Sequence, residues 1–292
     1  MPFDGFTLSQ VDLPEISVRV RHGGSGPPLL LLHGYPETHM MWDRVAVGLA
    51  RDFTVICPDL RGYGGSTKPP SSDDHETSSK RAMARDAIAL MAHFGFDSFQ
   101  VAGHDRGGRV AYRLALDHPQ AVRRVSILDI IPTGEVWARA DRRFAVGYWH
   151  WSFLAQPYPV PETLIAADPE YFMFQAQFRG AVTGFHPEAY ADYAAAVRRP
   201  EVIHAMCEDY RAGAFYDRAL DAQDREAGRK IACPVQILWG GKGALAAWYD
   251  TLAVWREWAD DVQGQALDCG HFIPEEKPDE TLALLREFFL AP

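Results

Sequence analysis

Asp105 stands at the centre of the stretch GHDRGGRV (103–110), in a glycine-flanked position that usually carries a serine or cysteine nucleophile. The apolar-rich run SFQVA precedes this stretch, and the alanine-containing run AYRLALDHP follows it. A buried strand, a sharp glycine turn and a helix would expose the central side chain above the edge of a sheet, over the helix N-terminus. The pattern therefore predicts that the nucleophile is a carboxylate.

Two further motifs supply the partners that such a nucleophile needs. HGYP (33–36) follows an apolar run, where folds with this turn place an oxyanion-hole loop. His271 lies in a predicted loop before the last helix, which gives the chain order nucleophile, acid, histidine. The segment ILWGGKGALAAW, where the acid usually stands, has no carboxylate before Asp250, whereas the predicted strand SILDII ends near Asp129. We therefore predict that Asp129 orients His271.

The elements that must position these residues alternate between strands and helices. Short apolar runs predict buried strands, and the periodic runs between them predict the helical crossovers that parallel strands require. Residues 133–225 are rich in aromatics and alanine, show no clear strand and are broken by QPYPVPE and GFHPEAY. We predict an α/β fold with a mostly parallel sheet flanked by helices, in which 1–132 and 226–292 form the core and 133–225 an inserted helical cap.

Composition and charge limit the classes of partner. The 292-residue chain is 47% hydrophobic, enough for a sizeable core, and its formal net charge of −10 argues against nucleic acid or an anionic membrane surface. Its longest strongly apolar run, PPLLLLH, is too short to span a bilayer, and its start lacks a signal-peptide pattern. The scattered cysteines and the lack of metal, nucleotide or flavin motifs predict a cytoplasmic protein with reduced thiols and no cofactor.

A set of motifs resembles the fluoroacetate dehalogenases of the α/β-hydrolase superfamily: GHDRGGR, HGYP, PDLRGYGGS, LDIIPT, YWHWSFLAQP, CEDYRAG and the late GHF. The resemblance runs through nearly the whole chain. Its most specific parts are the two arginines after Asp105 and the His-Trp pair, because haloalkane dehalogenases and epoxide hydrolases share the general fold motifs. It implies an α/β-hydrolase fold, a homodimer, and hydrolysis of short 2-haloacids, with fluoroacetate giving glycolate and fluoride.

The chemistry of carbon–halogen bonds explains why a carboxylate stands at the turn. Attack by serine on an sp³ carbon would leave an ether, whereas attack by Asp105 leaves an ester that water can open. His271 would activate the water that attacks the ester carbonyl. The backbone N–H groups of Tyr35 and Arg106 would hold the oxyanion that develops there.

Two arginines indicate an anionic substrate. Arg106 and Arg109 are three residues apart at the start of a helix, hence on one face and beside the nucleophile. A carboxylate about 4 Å from Asp105 would meet a repulsion on the order of 4 kcal/mol at an intermediate dielectric. Two guanidinium groups that bind this carboxylate can outweigh the repulsion, so we predict a small anionic haloacid as the partner molecule.

The resemblance also implies donors for the leaving halide. The matching positions are His150, Trp151 and Tyr210, and three donors around a small anion would favour fluoride. The chain departs from the family at Gly180, which stands where a cap tryptophan often lies. This departure predicts a roomier pocket unless Phe178 fills the gap.

Two other functions remain open from the residues. An epoxide hydrolase would use the same aspartate nucleophile and would need cap tyrosines, such as Tyr148, Tyr190 and Tyr210, to protonate the opening oxygen. The arginine pair argues against that activity. A ligand-binding protein on a hydrolase scaffold would be free to lose a member of the triad, yet all three members are present.

Overall fold

The computed structural model describes residues 2–178 and 184–291, so Gly180 lies outside the described residues. Within them the chain forms one eight-stranded sheet in the order β1-β2-β4-β3-β5-β6-β7-β8. The strands are β1 (Thr7–Asp12), β2 (Ser17–Gly24), β3 (Pro28–Leu32), β4 (Thr54–Pro58), β5 (Phe99–His104), β6 (Val122–Leu128), β7 (Val235–Gly240) and β8 (Val262–Leu267).

The sheet is parallel except at one edge. β1 and β2 pair antiparallel, and β2 also runs antiparallel to β4. From β4 through β3, β5, β6 and β7 to β8, each pair of neighbours is parallel. Every residue of β5 is buried, as expected for a central strand that is covered on both faces by helices.

The helices fall into two groups, those of the core and those of an insertion between β6 and β7. Those of the core are α1 (Asp43–Leu49), α2 (Lys80–His93), α3 (Asp105–Asp117), α11 (Ala244–Trp248), α12 (Thr251–Arg256), α13 (Ile273–Glu276) and α14 (Pro278–Leu290). Between β6 and β7 lie α4 (Thr133–Ala138), α5 (Arg142–Gly147), α6 (Trp149–Leu154), α7 (Val160–Ile165), α8 (Pro187–Val197), α9 (Pro200–Ala212) and α10 (Arg218–Glu226).

This insertion meets the carboxyl ends of the parallel strands, because its Tyr148 lines the same cavity as Asp105 and Asp129, which follow β5 and β6. Its described residues include two π-helical segments, Tyr171–Ala176 and Gly213–Asp217, and no strand. α10 ends at Glu226, one residue beyond the predicted boundary, and the division into core and cap stays a prediction. Among the described residues, no helix combines the length and the apolar character that a bilayer crossing requires.

Candidate active site

The turn between β5 and α3 presents Asp105 in a conformation that L-residues rarely adopt. Its φ is +44°, in the left-handed region. The turn is also too tight for side chains beside it: a Cβ on Gly103 would lie 2.3 Å from the Gly107 carbonyl oxygen, and one on Gly107 would lie 2.4 Å from the Leu32 carbonyl oxygen. The glycines therefore allow α3 to pack directly on β3 and β5, and the strained residue is the one that carries the carboxylate.

The surroundings of Asp105 keep its carboxylate ionised. The side chain is buried, and its Oδ2 accepts a hydrogen bond of 3.1 Å from the Tyr35 backbone N–H. Burial alone would raise the pKa of Asp105, but the positive charges of His271, Arg106 and Arg109 outweigh it and lower the pKa to about 2. The group needs no base to become a nucleophile.

His271 and Asp129 meet at the carboxyl edge of the sheet. The distance from His271 Nδ1 to Asp129 Oδ2 is 2.5 Å, although the two residues are 142 positions apart in the chain. Asp129 directly follows β6 with a φ of +56°, and its Oδ1 accepts the Gly240 backbone N–H at 2.8 Å. One carboxylate oxygen is thus held by β7 while the other orients the imidazole, the geometry that an acid–histidine pair requires.

The charge on Asp129 changes the acidity of His271. Burial would lower the pKa of His271, but the Asp129 hydrogen bond and the charges of Asp129 and Asp105 raise it to about 9. The imidazole is consequently protonated at neutral pH while Asp105 is ionised, and each group stabilises the charge of the other.

The two arginines of α3 occupy different environments. Arg109 Nη1 donates to the Ile131 carbonyl oxygen and to Thr133 Oγ1, both at 3.1 Å, and its guanidinium lies 4.5 Å from the centre of a Trp151 ring. Arg106 Nε donates to Asp209 Oδ2 at 3.0 Å. Its guanidinium carbon Cζ lies 3.7 Å from the Tyr210 ring centre, a close cation–π contact.

A cavity of about 140 Å³ joins most of the predicted site residues. Those that line it are Asp105, Asp129, His271, Arg109, His150, Trp151, Tyr210 and Tyr35. Arg106 is not among the lining residues, but its guanidinium packs against Tyr210, which is. Phe178 contributes to the wall and packs edge-to-face on Phe272, with ring centres 5.0 Å apart.

The aromatic residues predicted to hold the halide form one cluster. The His150 and Trp151 rings each lie 5.9 Å from the Tyr210 ring. Burial lowers the pKa of His150 to about 3, against the opposing charge of Asp105. The imidazole is neutral at physiological pH and carries one N–H that can donate.

Within the described residues, five buried side-chain nitrogens at or beside this cavity have no hydrogen-bond partner in the protein. They are Arg106 Nη1 and Nη2, Arg109 Nε, His150 Nδ1 and Gln177 Nε2. Buried donors rarely stay unpaired, because each costs about 1–3 kcal/mol when it loses water without gaining an acceptor. A concentration of such donors beside a carboxylate indicates a site that binds an anion.

Several residues around the site were missing from the sequence prediction. Asp209, which holds Arg106, stands next to Tyr210 inside a motif that we had singled out only for the tyrosine. Gln177 lines the cavity and accepts a hydrogen bond of 2.8 Å from the Tyr35 hydroxyl. No spacing rule links Gln177 to the turn at Asp105, so only the packed structure reveals it.

Comparison with known proteins assigns this geometry to a family. Residues 27–278 match the family model of the alpha/beta hydrolase fold. The chain is 45% identical to a fluoroacetate dehalogenase from Burkholderia sp., over 98% of this chain and 94% of that protein. It is 37% identical to a soluble epoxide hydrolase from Corynebacterium sp. (strain C12), over 91% of each.

Solved structures agree with this assignment. A structure from Nostoc sp. PCC 7120, described as an alpha/beta hydrolase, has a TM-score of 0.96 at 48% identity and covers 99% of this chain and 100% of that one. The epoxide hydrolase CorEH has a TM-score of 0.86 at 33% identity, with 97% and 98% covered. The predicted fold and the predicted resemblance are confirmed: this chain is a hydrolase of the α/β-hydrolase family, in the branch that includes fluoroacetate dehalogenase.

Proposed function

We propose that the protein hydrolyses the carbon–halogen bond of short 2-haloacids, with fluoroacetate converted to glycolate and fluoride. The observation that carries this proposal is the group of buried, unpaired nitrogens beside an ionised Asp105. A substrate with a carboxylate at one end and a developing halide at the other supplies acceptors for such donors. The similarity to a fluoroacetate dehalogenase over 98% of the chain supports the same reaction.

The first half-reaction is a displacement at carbon. An Asp105 carboxylate oxygen forms a bond to C2 of the haloacid while the carbon–halogen bond breaks, and the halide leaves with the bonding electron pair. The products are an ester of Asp105 and a free halide. No proton transfer is needed, because Asp105 is already ionised, and the protonated His271 stabilises it before attack.

The second half-reaction opens the ester. His271 takes a proton from water as the water oxygen attacks the Asp105 carbonyl carbon. When the tetrahedral intermediate collapses, the bond from this carbon to the ester oxygen breaks, and His271 returns the proton to that oxygen, so the released hydroxy acid carries the original Asp105 oxygen. Asp105 then loses the second water proton and is ionised again. The Tyr35 N–H, 3.1 Å from Asp105 Oδ2 before reaction, and the Arg106 N–H in the first turn of α3 are the proposed donors to the tetrahedral oxyanion.

Ester formation itself makes His271 a better base. The charge of Asp105 is one of the causes that raise the pKa of His271 to about 9. Conversion of Asp105 to a neutral ester removes this contribution, so the pKa of His271 falls. The histidine is therefore protonated when the nucleophile must be stabilised, and more readily neutral once water must be activated.

The dimensions of the cavity favour small acids. The cavity measures about 140 Å³, and an engineered cavity of about 150 Å³ in another protein holds one benzene molecule, which has six heavy atoms. Fluoroacetate has five heavy atoms and fluoropropionate has six. We therefore propose haloacetates and 2-halopropionates as substrates, and exclusion of acids with long chains or aromatic rings.

A second candidate function is epoxide hydrolysis. Tyr148 and Tyr210 both line the cavity and could protonate an opening epoxide, and a soluble epoxide hydrolase is 37% identical to the chain. Arg109 argues against this activity, because a neutral epoxide offers no partner for its charge. The dehalogenase is thus the better supported of the two.

A parallel assay separates these functions. Purified protein receives fluoroacetate, chloroacetate and 2-fluoropropionate, with halide release recorded, and propylene oxide, with diol formation recorded by gas chromatography. We expect fluoride from fluoroacetate at a rate well above that of diol formation. Rapid diol formation without any halide release would assign the site to epoxides and contradict the proposal.

A further inference from the structure

Asp209 lies in a buried ionic cluster between the cap and the core. It belongs to α9 of the cap and is 1% exposed. Its Oδ1 accepts a hydrogen bond from Lys80 Nζ at the start of α2, and its Oδ2 accepts both the Tyr63 hydroxyl at 2.6 Å and Arg106 Nε at 3.0 Å. One carboxylate therefore joins three donors from three separate segments of the core.

Both oxygens of Asp209 are committed to donors. An isosteric asparagine would have to turn its NH₂ group either towards Lys80 or towards Tyr63 and Arg106. Either orientation places a donor against a donor and loses hydrogen bonds to a charged group. The site thus requires a carboxylate at this position and does not tolerate its neutral analogue.

The contact with Asp209 determines the orientation of the Arg106 guanidinium. Nε is bound by the carboxylate, and Cζ lies over the Tyr210 ring, 3.7 Å from its centre. What remains are Nη1 and Nη2, which are buried and have no acceptor in the protein. Gly213 lies beside this end of the group, since a Cβ built on it would be in ordinary contact with Nη1 at 3.6 Å.

Asp209 also makes the proximity of two arginines possible. Arg106 and Arg109 are both buried, and each disfavours the charge of the other in a medium of low dielectric. The carboxylate of Asp209 neutralises part of the Arg106 charge at 3.0 Å and so offsets this repulsion. Arg106 can then remain charged against Tyr210 while Arg109 lines the cavity.

We propose that Asp209 is a positioning residue for substrate binding, which fixes Arg106 so that its two unpaired Nη groups are available to the carboxylate of the haloacid. This inference rests on the proposed function, because it names what holds one of the two carboxylate-binding arginines. Asp209 itself touches no substrate, and it acts through Arg106.

Asp217 provides a matched control for a test. It is another buried aspartate that contacts Lys80, whose backbone N–H it accepts at 2.9 Å and whose Nζ lies 3.7 Å away, and no contact joins it to Arg106 among those the structure shows. Asp209→Asn and Asp217→Asn therefore make the same chemical change in the same cluster. Only the first alters the support of Arg106.

The experiment measures steady-state defluorination of fluoroacetate and its inhibition by acetate and by neutral acetamide, in wild type and both variants. For Asp209→Asn we expect KM for fluoroacetate and the inhibition constant for acetate to rise at least about tenfold, the loss expected from one misplaced charged hydrogen bond. We expect the inhibition constant for acetamide to stay within about twofold, since an uncharged ligand gains little from the guanidinium. Asp217→Asn should resemble wild type in all three measurements.

The outcomes separate the two proposals. Wild type that releases no fluoride contradicts the proposed function, and the inference falls with it. Two results with an active wild type would overturn the positioning role alone. In the first, the inhibition constant for acetate is the same in Asp209→Asn as in wild type. In the second, the inhibition constants for acetate and acetamide rise by the same factor in Asp209→Asn. If Asp209→Asn does not fold, the double variant Lys80→Gln/Asp209→Asn takes its place, because it also removes the lysine charge that would be left unpaired. The ratios of its KM and inhibition constants to those of wild type then test the proposal in the same way.

Discussion

Replacement of Arg109 by leucine tests whether the cavity recognises an anion. Arg109 is 3% exposed and lines the cavity, and its orientation is fixed by two hydrogen bonds of 3.1 Å to Ile131 and Thr133. Leucine keeps an apolar side chain against Trp151 but removes the charge and the unpaired Nε. The substitution therefore isolates the contribution of the guanidinium to the binding of the substrate carboxylate.

The expected loss follows from two opposing interactions. A carboxylate about 4 Å from Asp105 meets a repulsion on the order of 4 kcal/mol at an intermediate dielectric. One charged hydrogen bond from Arg109 returns about 1.5–3 kcal/mol, so its removal should lower kcat/KM for fluoroacetate by about 10- to 150-fold. Arg109 is also one cause of the low pKa of Asp105, but a pKa of about 2 leaves a wide margin, and the nucleophile stays ionised at neutral pH.

The assay is steady-state fluoride release, with folding checked by circular dichroism. Arg109→Lys is the matched control: it keeps the charge but loses the planar fork, so we expect an intermediate loss. Arg109→Leu should raise KM more than it lowers kcat. A folded Arg109→Leu protein whose kcat/KM lies within about twofold of wild type would refute the reasoning, since even a weak charged hydrogen bond contributes more.

Three further predictions concern the histidines. His271→Ala should accumulate a covalent adduct on Asp105 after exposure to fluoroacetate, because the ester forms without a base and then lacks one; intact-mass spectrometry that finds unmodified protein would count against this role. Because Asp105 is ionised at all ordinary pH values, the first-turnover burst of fluoride should stay constant with pH in stopped-flow measurements. By contrast, kcat should increase with pH up to the pKa of His271 in the ester, which lies below the value of about 9 that His271 has beside the ionised Asp105, and a kcat independent of pH would argue against His271 as base. His150→Phe keeps a ring of similar size but removes the N–H, so it should slow the turnover of fluoroacetate more than that of chloroacetate. An equal decrease in turnover with both substrates would show that His150 does not belong to the halide site.

The sequence predicted the local parts of this site well because short-range rules govern them. The turn at Asp105 needs glycines on both sides, a strand before it and a helix after it, and all of these are visible within about twenty residues. The parallel arrangement of the central strands likewise follows from short apolar runs, which indicate strands, separated by segments with helical periodicity, which indicate the crossovers. The eight-stranded sheet and the match to the alpha/beta hydrolase family confirm the predicted fold class.

Elements without such a signal were missed. β1 (Thr7–Asp12) is an edge strand whose residues are mostly exposed, so it lacks the apolar alternation by which strands are identified. The cap was predicted as helical, but its division into short helices and π-helical segments was not, since aromatic and alanine content does not define helix ends.

The ionic cluster around Asp209 could not be predicted from spacing. Arg106 and Lys80 are 103 and 129 positions away from it in the chain, and no local motif indicates that they meet. The Gly180 position, which led us to expect a roomier pocket, lies outside the described residues. That expectation therefore stays a prediction, and the proposal of a small substrate depends on the cavity of about 140 Å³, which has room for five or six heavy atoms.

A single-turnover reaction in oxygen-18 water tests the central claim most directly, because it follows the oxygen that Asp105 contributes. With protein in excess over fluoroacetate, the first glycolate formed should carry ordinary oxygen in its new hydroxyl group, and the heavy isotope should appear in the Asp105 side chain on peptide mass spectrometry. Glycolate that carries oxygen-18 in that first turnover would mean that water attacks the carbon itself, and it would contradict a carboxylate nucleophile.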